Sequence, residues 1–229
     1  MQRHGENTVN KTILSAIAAT AMLVGTTGAQ ATSMTVDFDL RGSGPEVAEL
    51  NLSQGGLDLN ITPDTISNTN DLNGEQDIFL TQGQNGLGVD NRNCFLFFCD
   101  SNQLDGFGSN DIALFSFSKD VTIESFTLLD SDSNDDLSLF GGPSFSFLGE
   151  FRIPGSNVID FAGLSSALLT GDVFGIAAIG GNDNFRIAGV SVSYDAVPVP
   201  AALPLMLTGL VGLGLFGRRA KRRQIEVAA

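Results

Sequence analysis

Val190-Ser191-Val192-Ser193-Tyr194 alternates apolar and polar side chains residue by residue. A period of two sends successive side chains to opposite faces of an extended chain, so this stretch predicts a half-buried β-strand. Ser144-Phe145-Ser146-Phe147 carries the same rhythm. Working outward, Met34–Leu40, Leu57–Ile61, Asp77–Thr81, Asp111–Ser118, Val121–Leu129 and Asp136–Phe140 read as short strands. Ser144–Phe151, Val158–Ala162, Val173–Ile179 and Arg186–Tyr194 continue the series. Asn, Asp, Gly and Ser clusters separate them at roughly ten-residue intervals, the spacing of a sandwich and not of βαβ units. No long segment of period 3.6 interrupts them, although Leu164–Leu169 has room for a short helix. The sixteen Phe between residues 32 and 196 fall mostly on the apolar faces, where packing is their default role. The expected fold class is all-β, an antiparallel β-sandwich of jelly-roll type.

The two ends of the 229-residue chain read differently. Arg3 and Lys11 give a positive start, an apolar run follows from Ile13 to Val24, and Ala29-Gln30-Ala31 supplies a small-x-small site. That order is a secretory signal peptide, residues 1–31, cut by signal peptidase after Ala31; an ordinary buried helix is the competing reading. Removal would take His4, the one histidine of the chain, with it. At the other end Val197-Pro198-Val199-Pro200 precedes an apolar run of 17 residues, Ala201 to Gly217. A helix over that run covers about 25 Å, the short limit for a membrane span. The Arg218-Arg219-Ala220-Lys221-Arg222-Arg223 cluster would hold its end on the cytoplasmic side. Gly209, Gly212, Gly214 and Gly217 weaken a soluble helix and are tolerated in a membrane.

Residues 197–223 resemble the PEP-CTERM class of bacterial sorting signals. Val197-Pro198-Val199-Pro200-Ala201 is similar to the VPLPA variant, with Val199 where that pattern has Leu, and Leu203-Pro204-Leu205 and the arginines Arg218, Arg219, Arg222 and Arg223, with Lys221, fit the same plan. The resemblance implies a membrane-anchored precursor processed near the proline motif by an exosortase-type transpeptidase; a plain permanent anchor is the alternative. Residues 224–229 form a short tail beyond the arginines, longer than the class leads one to expect. Phe-rich strands with Asp/Asn/Gly loops, notably Gly86-Leu87-Gly88-Val89 and the stretch from Asp111 to Asp136, also look like the bodies of other exported sorting-signal proteins. No functional residue is implied by that second likeness.

The domain between the signals, residues 32–196, holds five basic and 24 acidic residues, a net charge of −19. Such a body repels nucleic acid and anionic lipid and attracts divalent cations. Cys94 and Cys99 are the only cysteines. In a straight strand their Cα atoms would stand about 16 Å apart, so the disulfide expected of an exported protein requires a turn between them. Closing that small loop is worth roughly 2 kcal/mol. Two cysteines with no further Cys or His cannot build a tetrahedral zinc site.

Two loops concentrate acids: Asp100, Asn102, Asp105 and Asp111 in the first, Asp130, Asp132, Asp135 and Asp136 in the second. Alternate carboxylates with Asn and backbone carbonyls are the hard oxygen donors that calcium takes, which makes calcium the candidate cofactor. Neither loop matches an EF-hand, and solvated Asx turns are the competing reading. Gly180-Gly181-Asn182-Asp183-Asn184 is faintly like a calcium-binding β-roll repeat but occurs once, so a β-turn is expected. Without a histidine in the exported form, neither Ser-His-Asp nor Cys-His catalysis can be assembled. Paired carboxylates are too numerous here to single out a glycosidase pair, and Trp is absent. Phe95, Phe97 and Phe98 could still offer a stacking tip to a sugar.

The sequence thus predicts no enzyme. It predicts an exported cell-surface or matrix protein with a structural or adhesive role. The partners expected are signal peptidase, an exosortase-type transpeptidase, the inner membrane and extracellular polysaccharide, with no nucleic acid. The alternative is a calcium-assisted carbohydrate-binding module.

Overall fold

A computed structural model describes residues 32–67, 71–74, 77–92, 94–95, 98–99, 102–142, 144–161, 164 and 168–196. The signal-peptide residues Ala29 and Ala31, the tail 197–229, and Asp100 lie outside the described residues. Ser33–Ala196 form one compact unit, all-β and antiparallel. In chain order its strands are β1 (Thr32–Asp39), β2 (Leu50–Gln54), β3 (Leu57–Ile66), β4 (Phe79–Gly83), β5 (Gly86–Asp90), β6 (Cys94–Phe95), β7 (Phe98–Cys99) and β8 (Leu104–Asp105). They continue as β9 (Asn110–Leu129), β10 (Asp136–Gly141), β11 (Ser146–Arg152), β12 (Val158–Asp160), β13 (Thr170–Ala177) and β14 (Asn184–Ala196).

β9 is the spine. At Phe115 it pairs with Ile61 of β3 on one edge and Phe174 of β13 on the other. Further along, at Phe126, its neighbours are Val190 of β14 and Ile159 of β12. The main path of the sheet runs β11-β10-β13-β9-β14-β5-β4, with β1 and β8 on β14, β12 and β3 on β9, and β2 on β3.

The sequence reading splits β9 in two, Asp111–Ser118 and Val121–Leu129, leaving Lys119 and Asp120 between them. The chain instead continues as one strand of 20 residues. Ser116 faces Val173 and Val121 faces Gly171, so residues 117–120 stand against Asp172 alone. Such a bulge bends the strand and lets Ser118, Lys119 and Asp120 face solvent without ending it. A second irregularity, with Ser125 against Ser191 and Ile123 against Val192, leaves Glu124 as the extra residue. It shifts the inward phase, so both Ile123 and Phe126 are buried.

Other boundaries differ for physical reasons. β3 runs on past Ile61 through Pro63 to Ile66. Its outer edge is covered by β2 only as far as Ile61, so the missing N–H of Pro63 breaks no ladder bond there. Ser144 and Phe145 belong to a turn, and β11 starts at Ser146. β2, β5 and β8 had no counterpart in the sequence reading. Residues 165–167, the middle of the 164–169 stretch, lie outside the described residues.

The main core gathers inward residues of β1, β3, β5, β9, β10, β13 and β14. Phe115, Phe126 and Phe161 meet edge-to-face in a chain at 5.9 and 6.0 Å, and Phe151 closes on Phe161 at 5.0 Å. Each such pair adds about 0.5–1.5 kcal/mol beyond burial. Ala113 and Phe115 point into this core, whereas Ile112 and Leu114 point the opposite way. There Ile66, Ile112, Phe140 and Ala177 form a second, smaller cluster roofed by Phe145. Among the phenylalanines whose burial is described, Phe107 and Phe147 are the exceptions, at 56% and 46% exposed.

Candidate functional site

The two acidic loops meet at one end of β14, joined by a third loop, residues 178–183. The Gly106 N–H donates to the Asp183 carbonyl at 3.2 Å, and the Ala178 N–H to the Asp111 carbonyl at 3.1 Å. A Cβ on Gly106 would stand 2.1 Å from the Gly180 carbonyl oxygen, so only glycine allows the loops this close. The first residues of β14 then pair with β8, Asn184 with Asp105 and Phe185 with Leu104.

Most of the carboxylates here hold backbone. Asp111 is fully buried; its Oδ1 accepts from Asn91 Nδ2 (3.0 Å) and its Oδ2 from the Asp105 N–H (3.3 Å). Asp105 accepts the Phe107 N–H at 2.9 Å, and Asp132 accepts the Asn134 N–H at 3.0 Å. These are Asx turns, the residue's usual way of shaping a loop. Asp135, also fully buried, accepts the N–H groups of Asp132 and of Asn184, the latter at 3.3 Å. Asp136 faces Arg152 at 3.4 Å. Asp130, at φ 53°, accepts from Asn85 Nδ2 at 2.7 Å and lies 3.5 Å from Arg186 Nε. Asn102 contributes its backbone: its carbonyl accepts the Thr81 hydroxyl at 3.0 Å.

The residue that the sequence placed in a β-turn, with no part in the site, is Asp183. The expected β-turn is present, with the Asp183 N–H bonded to the Gly180 carbonyl at 3.1 Å. Its side chain is 7% exposed and accepts the Asp136 N–H at 3.2 Å. Burial pushes its carboxyl up to about 6; the Asp136 N–H opposes the rise, and the charges of Asp136, Asp135 and Glu150 add to it. Asp135 is raised as well, mainly by burial, against the pull of its two backbone donors. The signal was in the sequence as one more Asp beside glycines, but nothing local marks its burial.

Among the described residues, no group of three or more His, Cys, Asp or Glu converges in a way that could hold a metal ion. The arrangement clamps three loops by charge-assisted hydrogen bonds. At the tip of the 91–105 excursion, β6 and β7 pair Cys94 directly with Cys99 and Phe95 with Phe98. Comparison with protein-family models, with curated proteins and with solved structures finds no match to this chain.

Proposed function

We propose that the chain is an exported surface protein with a structural or adhesive role in the extracellular matrix. In this reading residues 1–31 are its signal peptide, residues 32–196 a jelly-roll-like β-sandwich body, and residues 197–223 a sorting tail. The tail anchors the precursor in the inner membrane until an exosortase-type transpeptidase cuts near Val197–Ala201. The observation that carries this is the order of segments: export signal, acidic body, proline motif, apolar run, basic cluster.

The backbone pairing of Cys94 with Cys99 supports a disulfide in the exported form, because directly opposed residues of an antiparallel pair have Cα atoms about 4.5–5.5 Å apart. A calcium-assisted carbohydrate-binding module is the second reading, supported by the convergence of the acidic loops at one end. It is the weaker one, because the carboxylate oxygens there already accept backbone N–H groups.

Fractionation of cells expressing the native chain and the Pro198→Ala/Pro200→Ala variant tests the leading reading. The expected result is a released form starting at Thr32, oxidised at both cysteines by mass, and a membrane precursor that accumulates in the variant. Recovery from the cytosol alone would overturn export. An unchanged ratio of the two forms would reduce the tail to a simple anchor, and two free thiols would remove the disulfide.

A further inference from the structure

The outer face of the first half of β9, away from the main core, carries an open groove of about 750 Å3. Leu114 and Val173 give it an apolar floor, the turn at Phe145 one wall, and Asp120, Thr170 and Asp172 a polar rim. Phe145 is held at φ 44°, a left-handed conformation that is costly for a bulky side chain, about 1–3 kcal/mol. Two contacts hold it there. Its ring stacks on Phe140 at 6.0 Å and 21°, and it lies over Gly175, where a Cβ would come within 2.8 Å of the ring. The outcome is a half-exposed aromatic ring fixed at the groove wall.

The rim is acidic and uncompensated. Asp120 and Asp172 are both exposed, and neither is in an ion pair among the described residues. The neighbouring Lys119 points elsewhere, donating to the Gly56 carbonyl at 2.8 Å and lying over the Tyr194 ring. No basic residue lines the groove among the described residues.

We propose that this groove binds a polysaccharide carrying free amino groups. The apolar faces of its sugar rings rest on Phe145, Leu114 and Val173, hydroxyls meet Thr170, and ammonium groups meet Asp120 and Asp172. Charge complementarity selects the cation, since an acidic polymer would be repelled by a body at −19. The matrix reading above, on which this rests, supplies the polysaccharide.

The test uses the full chain purified in detergent, so that a failure of export or processing, read separately by fractionation, does not affect it. Retardation in native gels containing glycol chitosan is compared with gels containing a neutral, fully N-acetylated glycol chitin. Asp120→Asn/Asp172→Asn should weaken binding of glycol chitosan about tenfold. Phe145→Gly should do so equally while the protein still unfolds in one cooperative transition, the packing lost on Phe140 being partly offset because glycine accepts φ 44° without strain. Asp37→Asn/Asp195→Asn, an exposed pair of equal charge away from the groove, should change little. Unchanged binding in the groove variants would overturn the proposal, as would equal loss in the control pair, which would mean net charge alone, or equal retardation by the N-acetylated polymer. Polylysine binding that falls equally with Phe145→Gly would assign the groove to a basic peptide and overturn the saccharide.

Discussion

At Asn184 the strand β14 enters a knot of three loops clamped by carboxylates, whereas ten residues on, about 33 Å along the strand, Tyr194 meets a turn through a phenol and an ammonium group. There the Tyr194 hydroxyl donates to the Gly55 carbonyl at 2.6 Å, and Lys119 lies 4.5 Å above the ring while bonding Gly56. Both ends must satisfy backbone groups in tight turns. The first does so by burying negative charge, which makes its cohesion depend on protonation. The second uses one hydroxyl and one lysine at the rim, each replaceable at modest cost.

Removing the most buried clamp should separate the two ends most clearly. Asp111→Ala leaves Asn91 and the Asp105 N–H without their shared acceptor in a site closed to water. The expected loss is on the order of 3 kcal/mol, read from urea unfolding. A loss below about 1 kcal/mol would mean that the acidic end is solvated in the native state.

The pH dependence of that end comes next. Asp183 has a folded pKa of about 6, above the ordinary 3.8, so between those values the native state binds more protons than the unfolded chain. Its cost to stability is therefore absent below about pH 4, grows as pH rises, and is complete above about pH 6, at about 3 kcal/mol. The difference in stability between native protein and Asp183→Asn should shift toward the variant across that window and be flat on either side. A difference independent of pH would remove the buried carboxylate from the account. At the opposite end Tyr194→Phe deletes the bond to the Gly55 carbonyl and a weak contact to Met34 Sδ at 3.8 Å, and urea unfolding should show a loss of about 1 kcal/mol.

How far these features could be read in advance depends on their range along the chain. Val190, Val192 and Tyr194 are buried on alternate positions, as the period of two requires. Ser144-Phe145-Ser146-Phe147 has the same period, yet its first half is a turn, because four residues cannot distinguish alternation in a strand from chance in a loop. Gly86-Leu87-Gly88-Val89 is not among the strands expected from the sequence, yet it forms most of β5, and Gly88 is there because the Asn102 carbonyl passes where a Cβ would stand, at 2.1 Å. Asp105, Asp111 and Asp135 were legible as candidates by composition. Their joining through Asp183 was not, since the Asp136 and Asn184 N–H bonds span 47 and 49 residues, and no local pattern records such a contact. The groove at Phe145 was hidden for a related reason, being made by a left-handed turn and a glycine on a different strand.

β14 is bonded along both of its edges, to β9 on one side and to β5 on the other, and it pairs with β1 and β8 as well. A pull on Ala196 directed along the strand therefore loads both ladders in shear. Their hydrogen bonds share the load and have to fail together, whereas in a strand peeled sideways they would break singly, each in its turn. Resistance to such traction is a matter of unfolding rate and not of equilibrium stability. Because β14 is paired with β9, a tug at the last strand is passed through β9 to its other partners, β3, β12 and β13.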